Sequence, residues 1–446
     1  VLSGTGEVIY VGTSAQGFPG DFNGDGLTDL AIPGGTGWFY RFGTRTGLTT
    51  AVYGAAITGH QWWLAVPTDW GGDGFTDIMV PSSSAGTWQV VRSNGESLPT
   101  VVNTGVVVGA SLAADFFADT NGDGLTDVVT IGYGTGTVGI IKHSGVVPDL
   151  MNSAIDGFGN AVNFSYGMLS GGALYNRGSN AQFPYQDYSG PVSVVTNANI
   201  SDGIGGTYNL ASFYYEGAAV QRQGRGFAGF RYRSWIDSRD NTAQLRTYKR
   251  EFPFTGMIEN QRWTHEPSAN AMNEDQRATS QLTTGAGYET TYYPYFSQSV
   301  HTDRDPSYGF ASTRIVTDTV SSIDAVSGVP TATTRVTSEP IGSNGISAGQ
   351  SWTESTSVTV SNNTENWCLG VAAAVYQSRS HTGAYGGAQL TRTTTNTWDT
   401  TYCRPSLTKI EPNTSLEVTT SVSYDGFGNQ TVEGVTGYGM ATRTTT

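Results

Sequence analysis

Charged residues are scarce in this chain: Asp, Glu, Lys and Arg make up 13% of 446 residues, against about a quarter in ordinary soluble domains. The 37 acidic residues outnumber the 23 basic ones, for a formal charge of −14. That balance argues against a nucleic-acid partner, whose binding surface needs clustered Lys and Arg. Cysteine occurs only as Cys368 and Cys403, too seldom for a disulfide scaffold. No run of about 18 apolar residues is present, so no membrane span is expected. The five histidines are scattered and form no H-E-x-x-H pair. Neither a G-x-S-x-G elbow nor a G-x-x-x-x-G-K-[ST] loop occurs. The chain is therefore not read as an enzyme, and no catalytic residue is assigned. Gln223–Phe230 contains G-R-G-F-A-G, formally a dinucleotide signature, but nothing around it reads as strand–turn–helix, and a tight β-turn is the better reading. The sequence opens V-L-S-G-T-G, without Met or a charged-then-apolar leader, and reads as a piece of a longer polypeptide.

Glycine is abundant, with 59 residues, near twice its usual share of about 7%. Thr and Ser fill much of the rest, and no amphipathic helix of useful length is visible. The fold class read from this mixture is all-β. Its organising feature is a nine-residue stretch, D-F-N-G-D-G-L-T-D at Asp21–Asp29, which returns as D-W-G-G-D-G-F-T-D at Asp69–Asp77 and D-T-N-G-D-G-L-T-D at Asp119–Asp127. Such a near-constant period marks a stacked or radial repeat. Apolar runs follow each loop (Leu30–Ile32, Ile78–Val80, Val128–Ile131), with aromatic segments such as Gly37–Tyr40 and Thr87–Val91 between them. Each period has room for about four short strands, one blade of a partial β-propeller.

Carboxylates on alternate residues of a tight Gly-containing turn suit a hard cation such as calcium, which takes about six to eight oxygens. In the first loop Asp21, Asn23, Asp25 and Asp29 offer side chains and Leu27 its carbonyl; in the third, Asp119, Asn121, Asp123, Asp127 and the Leu125 carbonyl do the same. The second offers Asp69, Asp73, Asp77 and the Phe75 carbonyl, with Gly71 where the others have Asn, so weaker binding or a substituting water is expected there. The twelfth positions hold Ile32, Val80 and Thr130 in place of the EF-hand glutamate. Such calcium is expected to be structural. The competing reading is Asp/Asn/Gly turns without metal.

Residues 1–147 hold these repeats; a second region, 148–279, and a third, 280–446, continue as β-structure. Val162, Phe164 and Tyr166 alternate as a half-buried strand should, Gly167–Pro191 reads as a long loop, and Leu416 to Tyr424 alternate again. The motif D-G-F-G-N occurs at both Asp156–Asn160 and Asp425–Asn429. Cys368 and Cys403 each lie beside an aromatic residue in a strand-like segment. They are read either as one disulfide across neighbouring strands of an exported protein or as two buried thiols.

The acidic loops resemble FG-GAP (VCBS-type) propeller repeats, in which that loop binds calcium. I-D-G-F-G-N-A-V-N-F-S-Y, Y-S-G-P-V-S-V-V, S-D-G-I-G-G-T-Y, Y-E-G-A-A-V-Q-R-Q-G-R-G-F-A-G-F and E-F-P-F-T-G follow in that order between Asp156 and Thr264. This block resembles the middle region of the B component of insecticidal Tc toxin complexes, related to RHS proteins. W-C-L-G, C-R-P and the second D-G-F-G-N are similar to RHS/YD-repeat sequence. The resemblance implies a propeller joined to the start of an RHS-type β-shell that encloses a toxic C-terminal polypeptide, with the propeller docking on a pore-forming translocation component. It implies a secreted or cell-surface location. The alternative is a calcium-stabilised adhesion or glycan-binding module, with Trp62, Trp63 and Trp70 as stacking residues. A calcium-dependent polysaccharide lyase needs a base, and His60 and His143 are the only histidines in 1–147.

Overall fold

The computed structural model describes residues 16–34, 37–56, 60–83, 85–96, 100–108, 115–132, 136–148, 150–265, 270–286, 289–340, 349–383 and 387–445. Among them the protein is all-β, interrupted only by short 3-10 turns such as Trp62–Leu64, and no helix is long and apolar enough to cross a membrane. The chain forms two compact units: residues 1–175 with 189–204, and residues 176–188 with 205–446.

In the first unit the repeats fold as successive antiparallel sheets. Phe18–Gly20, Asp29–Pro33, Gly37–Arg41 and Val52–Ala56 form one; Val66–Thr68, Asp77–Pro81, Thr87–Arg92 and Thr100–Val107 form the next. Phe116–Ala118, Asp127–Gly132 and Thr137–Ile141 form a third. Each acidic loop is a hairpin tip closed in the same register, with Gly20 opposite Asp29, Thr68 opposite Asp77 and Ala118 opposite Asp127. The period-2 alternation of strands splits the second sheet's side chains between two cores. Ile78, Val80 and Val91 pack with Phe18, Phe22, Trp38 and Tyr40 of the first sheet. Met79, Trp88 and Val90 pack with Val128 of the third. The same unit contains the hairpin Ser153–Ile155/Ala161–Met168, which pairs with Ser193–Ser201. The stretch read as one long loop is more ordered than expected: its start completes the strand ending at Met168, and Tyr175–Asn176 and Tyr185–Asp187 are short strands.

The second unit is dominated by one antiparallel sheet. From Thr207–Glu216 its strands pair in succession through to Arg443–Thr445, several of them 13–15 residues long. A small three-stranded sheet joins Tyr185–Asp187, which precedes these strands, to Ala219–Gln221 and Gly226–Gly229, which fall between the first two of them in sequence. The G-R-G-F-A-G stretch supplies its hairpin, a β-turn as read and no nucleotide loop. Charged residues stand opposite one another in a row: Asp318 faces Arg335, Arg335 faces Glu354, and Glu354 faces Arg379. Ion pairs join Arg335 to Asp318 at 2.6 Å and Arg379 to Glu354. Opposite charges directly across strands stabilise a sheet, so this row specifies strand order as well as register.

Cys368 and Cys403 are joined as a disulfide with Cα atoms 5.4 Å apart. They do not sit on neighbouring strands. Cys368 opens Cys368–Thr382 and Cys403 lies in the turn before Arg404–Ile410, with the Leu390–Asp399 strand between the two. The bond fastens adjacent hairpin tips. Tyr402 Oη also donates to the Gly426 carbonyl at 2.7 Å, tying on the D-G-F-G-N turn. Leu416 falls outside its expected strand, which runs Val418–Tyr424; it lies in the preceding turn and is 72% exposed.

Candidate functional site

The three acidic loops share one internal design. The first Asp caps the turn: Asp21 accepts the N–H groups of Gly24, Asp25 and Gly26 at 2.7, 3.1 and 2.9 Å. Asp69 and Asp119 repeat this on Gly72, Asp73, Gly74 and on Gly122, Asp123, Gly124. The fifth-position Asp accepts the seventh N–H, from Leu27, Phe75 and Leu125. Short polar side chains that bond their own backbone in this way stabilise turns.

The ninth Asp is buried in each loop, and both its oxygens are engaged. Asp29 accepts from Phe22 N and Gly43 N, Asp77 from Gly71 N and Ser93 N, and Asp127 from Thr120 N and His143 N. It clamps the loop's start to the strand two further along the chain. Burial pushes the Asp77 carboxyl up to about 6, with Asp73 adding to the rise and the two backbone bonds and Arg92 opposing it. Burial also raises Asp29. In Asp127 burial is outweighed by the Thr120 hydroxyl and the His143 and Thr120 N–H groups, and the pKa falls.

Successive loops are also linked. The eighth-position Thr76 donates its backbone N–H to Asp21 O at 2.7 Å and accepts from Asp21 N at 2.9 Å through Oγ1. Thr126 Oγ1 donates to Asp69 O at 2.7 Å, and Ser170 closes the series on Gly122 O. The fourth-position glycines face the same neighbours. A Cβ on Gly24 would meet Phe75 at 2.5 Å, on Gly72 Leu125 at 2.7 Å, and on Gly122 Ser170 at 2.6 Å. All three have φ near +70°, where glycine is favoured.

The first and third loops bring together their first, third and fifth side chains at the tip, the second has Gly71 at the third position, and in all three the ninth is turned into the fold. Among the described residues no three His, Cys, Asp or Glu side chains gather as a ready metal cage. Of the aromatic residues expected to stack on a ligand, Trp62 packs against the first core, Trp70 lies on His143 with ring centroids 4.3 Å apart, and Trp63 is 53% exposed.

Acidic hairpin tips linked in series, followed by a long polar antiparallel sheet, define an all-β protein. Residues 101–251 match the family described as "Insecticide toxin TcdB middle/N-terminal region", which shows the likeness to the Tc toxin B component read from the ordered motifs. No curated protein sequence matches the chain. Among solved structures, "Crystal Structure of TcdB2-TccC3" is similar with a TM-score of 0.63 at 12% identity. "Crystal Structure of TcdB2-TccC3-Cdc42" is similar with 0.61 at 11%. Each likeness covers 93% of this chain and 30% of the solved chain, so the chain spans about a third of those it matches. At such identity the likeness is one of fold.

Proposed function

We propose that this chain is a non-catalytic part of a secreted toxin assembly, in which 1–147 contributes propeller blades and 148–279 and 280–446 begin a hollow RHS-type shell around a toxic polypeptide. The observation that carries this reading is the second unit's sheet. Its long strands are lined on both faces by half-buried Thr, Ser and Asn, a composition suited to a wall that must not adhere to an unfolded cargo. The fold likeness to chains solved as TcdB2-TccC3 supports an enclosed partner. A pore-forming component is the partner proposed for the blades. The test is to co-express the full-length gene with its toxin-bearing partner chain and digest the purified complex with protease. A toxin polypeptide that survives inside the complex and is degraded after unfolding is expected; one cleaved as fast as the free polypeptide rejects the shell.

Calcium is proposed as the structural ion of the loops. Asp21, Asn23 and Asp25 with the Leu27 carbonyl, and Asp119, Asn121 and Asp123 with the Leu125 carbonyl, would hold it, and Asp29 and Asp127 fix the loop from the ninth position. The fit rests on hard oxygen donors at alternate residues. A bound ion would offset the repulsion among the clustered carboxylates.

A further inference from the structure

The second loop solves its missing ligand in a specific way. In the first loop Asn23 Nδ2 donates to Asp25 Oδ2 at 3.0 Å, and in the third Asn121 Nδ2 donates to Asp123 Oδ2 at 2.7 Å. In the second, with Gly71 at that position, Arg92 Nη2 donates to Asp73 Oδ2 at 3.0 Å. The same carboxylate oxygen therefore receives a nitrogen donor in all three loops, neutral in two and cationic in one. The space is the one an Asn would use: a Cβ on Gly71 would meet Arg92 Nη2 at 2.5 Å and Asp73 Oδ2 at 2.9 Å.

Arg92 arrives there from the end of the Thr87–Arg92 strand. Its neighbour Ser93 donates its N–H to Asp77, as Gly43 does to Asp29 and His143 to Asp127. The residues aligned with Arg92 are thus Phe42 and Lys142. The first has no charge to offer, and the second acts on Asp127, while Asn121 keeps the place beside Asp123.

We propose that Arg92 is the resident cation of the second loop, that its guanidinium replaces a metal ion there, and that Gly71 and Arg92 are a matched pair determining which loops take calcium. The proposal rests on the calcium reading of the other two loops. A guanidinium is always charged and binds carboxylates directionally. Held against Asp73, it removes one donor oxygen and repels a divalent ion from the rest. The second loop is then closed by a covalently tethered charge and needs no ion to hold its shape.

Calcium stoichiometry decides this, measured by equilibrium dialysis on the full chain and on the double variant Gly71→Asn/Arg92→Phe, which restores the pattern of the first repeat. About two ions per wild-type chain and about three per double variant are expected, the added site having the donor set of its neighbours. Three in the wild type overturn the inference and leave the calcium reading standing. Two in both proteins, with the variant folded by circular dichroism, overturn Arg92 as the excluding group. None in either overturns the calcium reading and the inference with it. Arg92→Phe alone leaves the loop backbone unchanged and serves if the double variant does not fold; it is expected to admit a third, weaker ion, and an unchanged count speaks against the inference.

Discussion

The acidic loops and their sheets bury Trp38, Trp88, Tyr40, Phe22, Ile78 and Met79 almost completely, whereas among the largest fully buried side chains of the described residues only the polar Gln350 comes from the second unit. The first unit obtains its order from side chains trapped between sheets. The second obtains it along the sheet, from ladders between long strands, cross-strand ion pairs and fastened tips. A core fails when one of its members is removed, while a ladder spreads the loss over many pairs. That difference should appear most strongly on truncation. Trp88→Ala empties a site between the second and third sheets and removes the indole N–H that Asp115 accepts, so a loss of about 3–5 kcal/mol is expected. Tyr295→Ala, at a half-buried place in the Thr291–Asp305 strand, should cost well under half of that. Denaturant unfolding followed by local hydrogen exchange measures both, and equal losses would abolish the contrast.

The next effect should fall on the other side of the comparison. The disulfide closes a 35-residue separation, and removing such a link costs about 2–4 kcal/mol. Cys368→Ser with Cys403→Ser should speed exchange around the tips at 364–368 and 400–403 and leave the acidic loops unchanged. Chelation should do the reverse. Ligand binding at about 100 times its dissociation constant stabilises a fold by about 2.7 kcal/mol, so EDTA should lower protection in the first and third loops and spare the second-unit strands. An agent that acted equally on both units would show that the two modes of stabilisation are not separate.

Much of this division was legible in the sequence, and the failures share a cause. Strands such as Asp29–Pro33 and Asp77–Pro81 follow from the apolar runs after each turn, and the first-position Asp, read as a ligand, also caps its turn. The ninth Asp was read only as a ligand, because its buried N–H partners Gly43, Ser93 and His143 lie 14 to 16 residues away. Thr76 and Thr126 drew no notice, since what they hold belongs to the preceding repeat. The exchange of Asn for Arg92 was hidden for the same reason: Gly71 announces a lost ligand, but its replacement sits 19 residues beyond Asp73. Only the repeat itself held a clue. Aligning strand ends as well as loops sets Arg92 against Phe42 and Lys142.

The smallest effect expected concerns a ladder contact that depends on pH. His301 lies between two carboxylates, with Nδ1 2.6 Å from Asp275 Oδ1 and Nε2 3.0 Å from Asp303 Oδ1. Ionised carboxylates only accept, so both contacts are satisfied at once by the imidazolium. Burial lowers the His301 pKa, but the bonds to Asp275 and Asp303 outweigh it and hold the ring above its ordinary value. Arg277 shares Asp275 and Arg314 shares Asp303, which tempers the gain, as does the ring's partial exposure. The stabilisation is fully present below the unfolded value of about 6.5 and is lost as pH rises through the higher folded value. Partly exposed pairs of this kind contribute about 0–1 kcal/mol. Thermal melts of wild type and His301→Gln across that window should therefore converge as pH rises, with the wild type ahead only on the acidic side. A gap between them that stays constant or widens with pH would mean that His301 joins its strands without its charge.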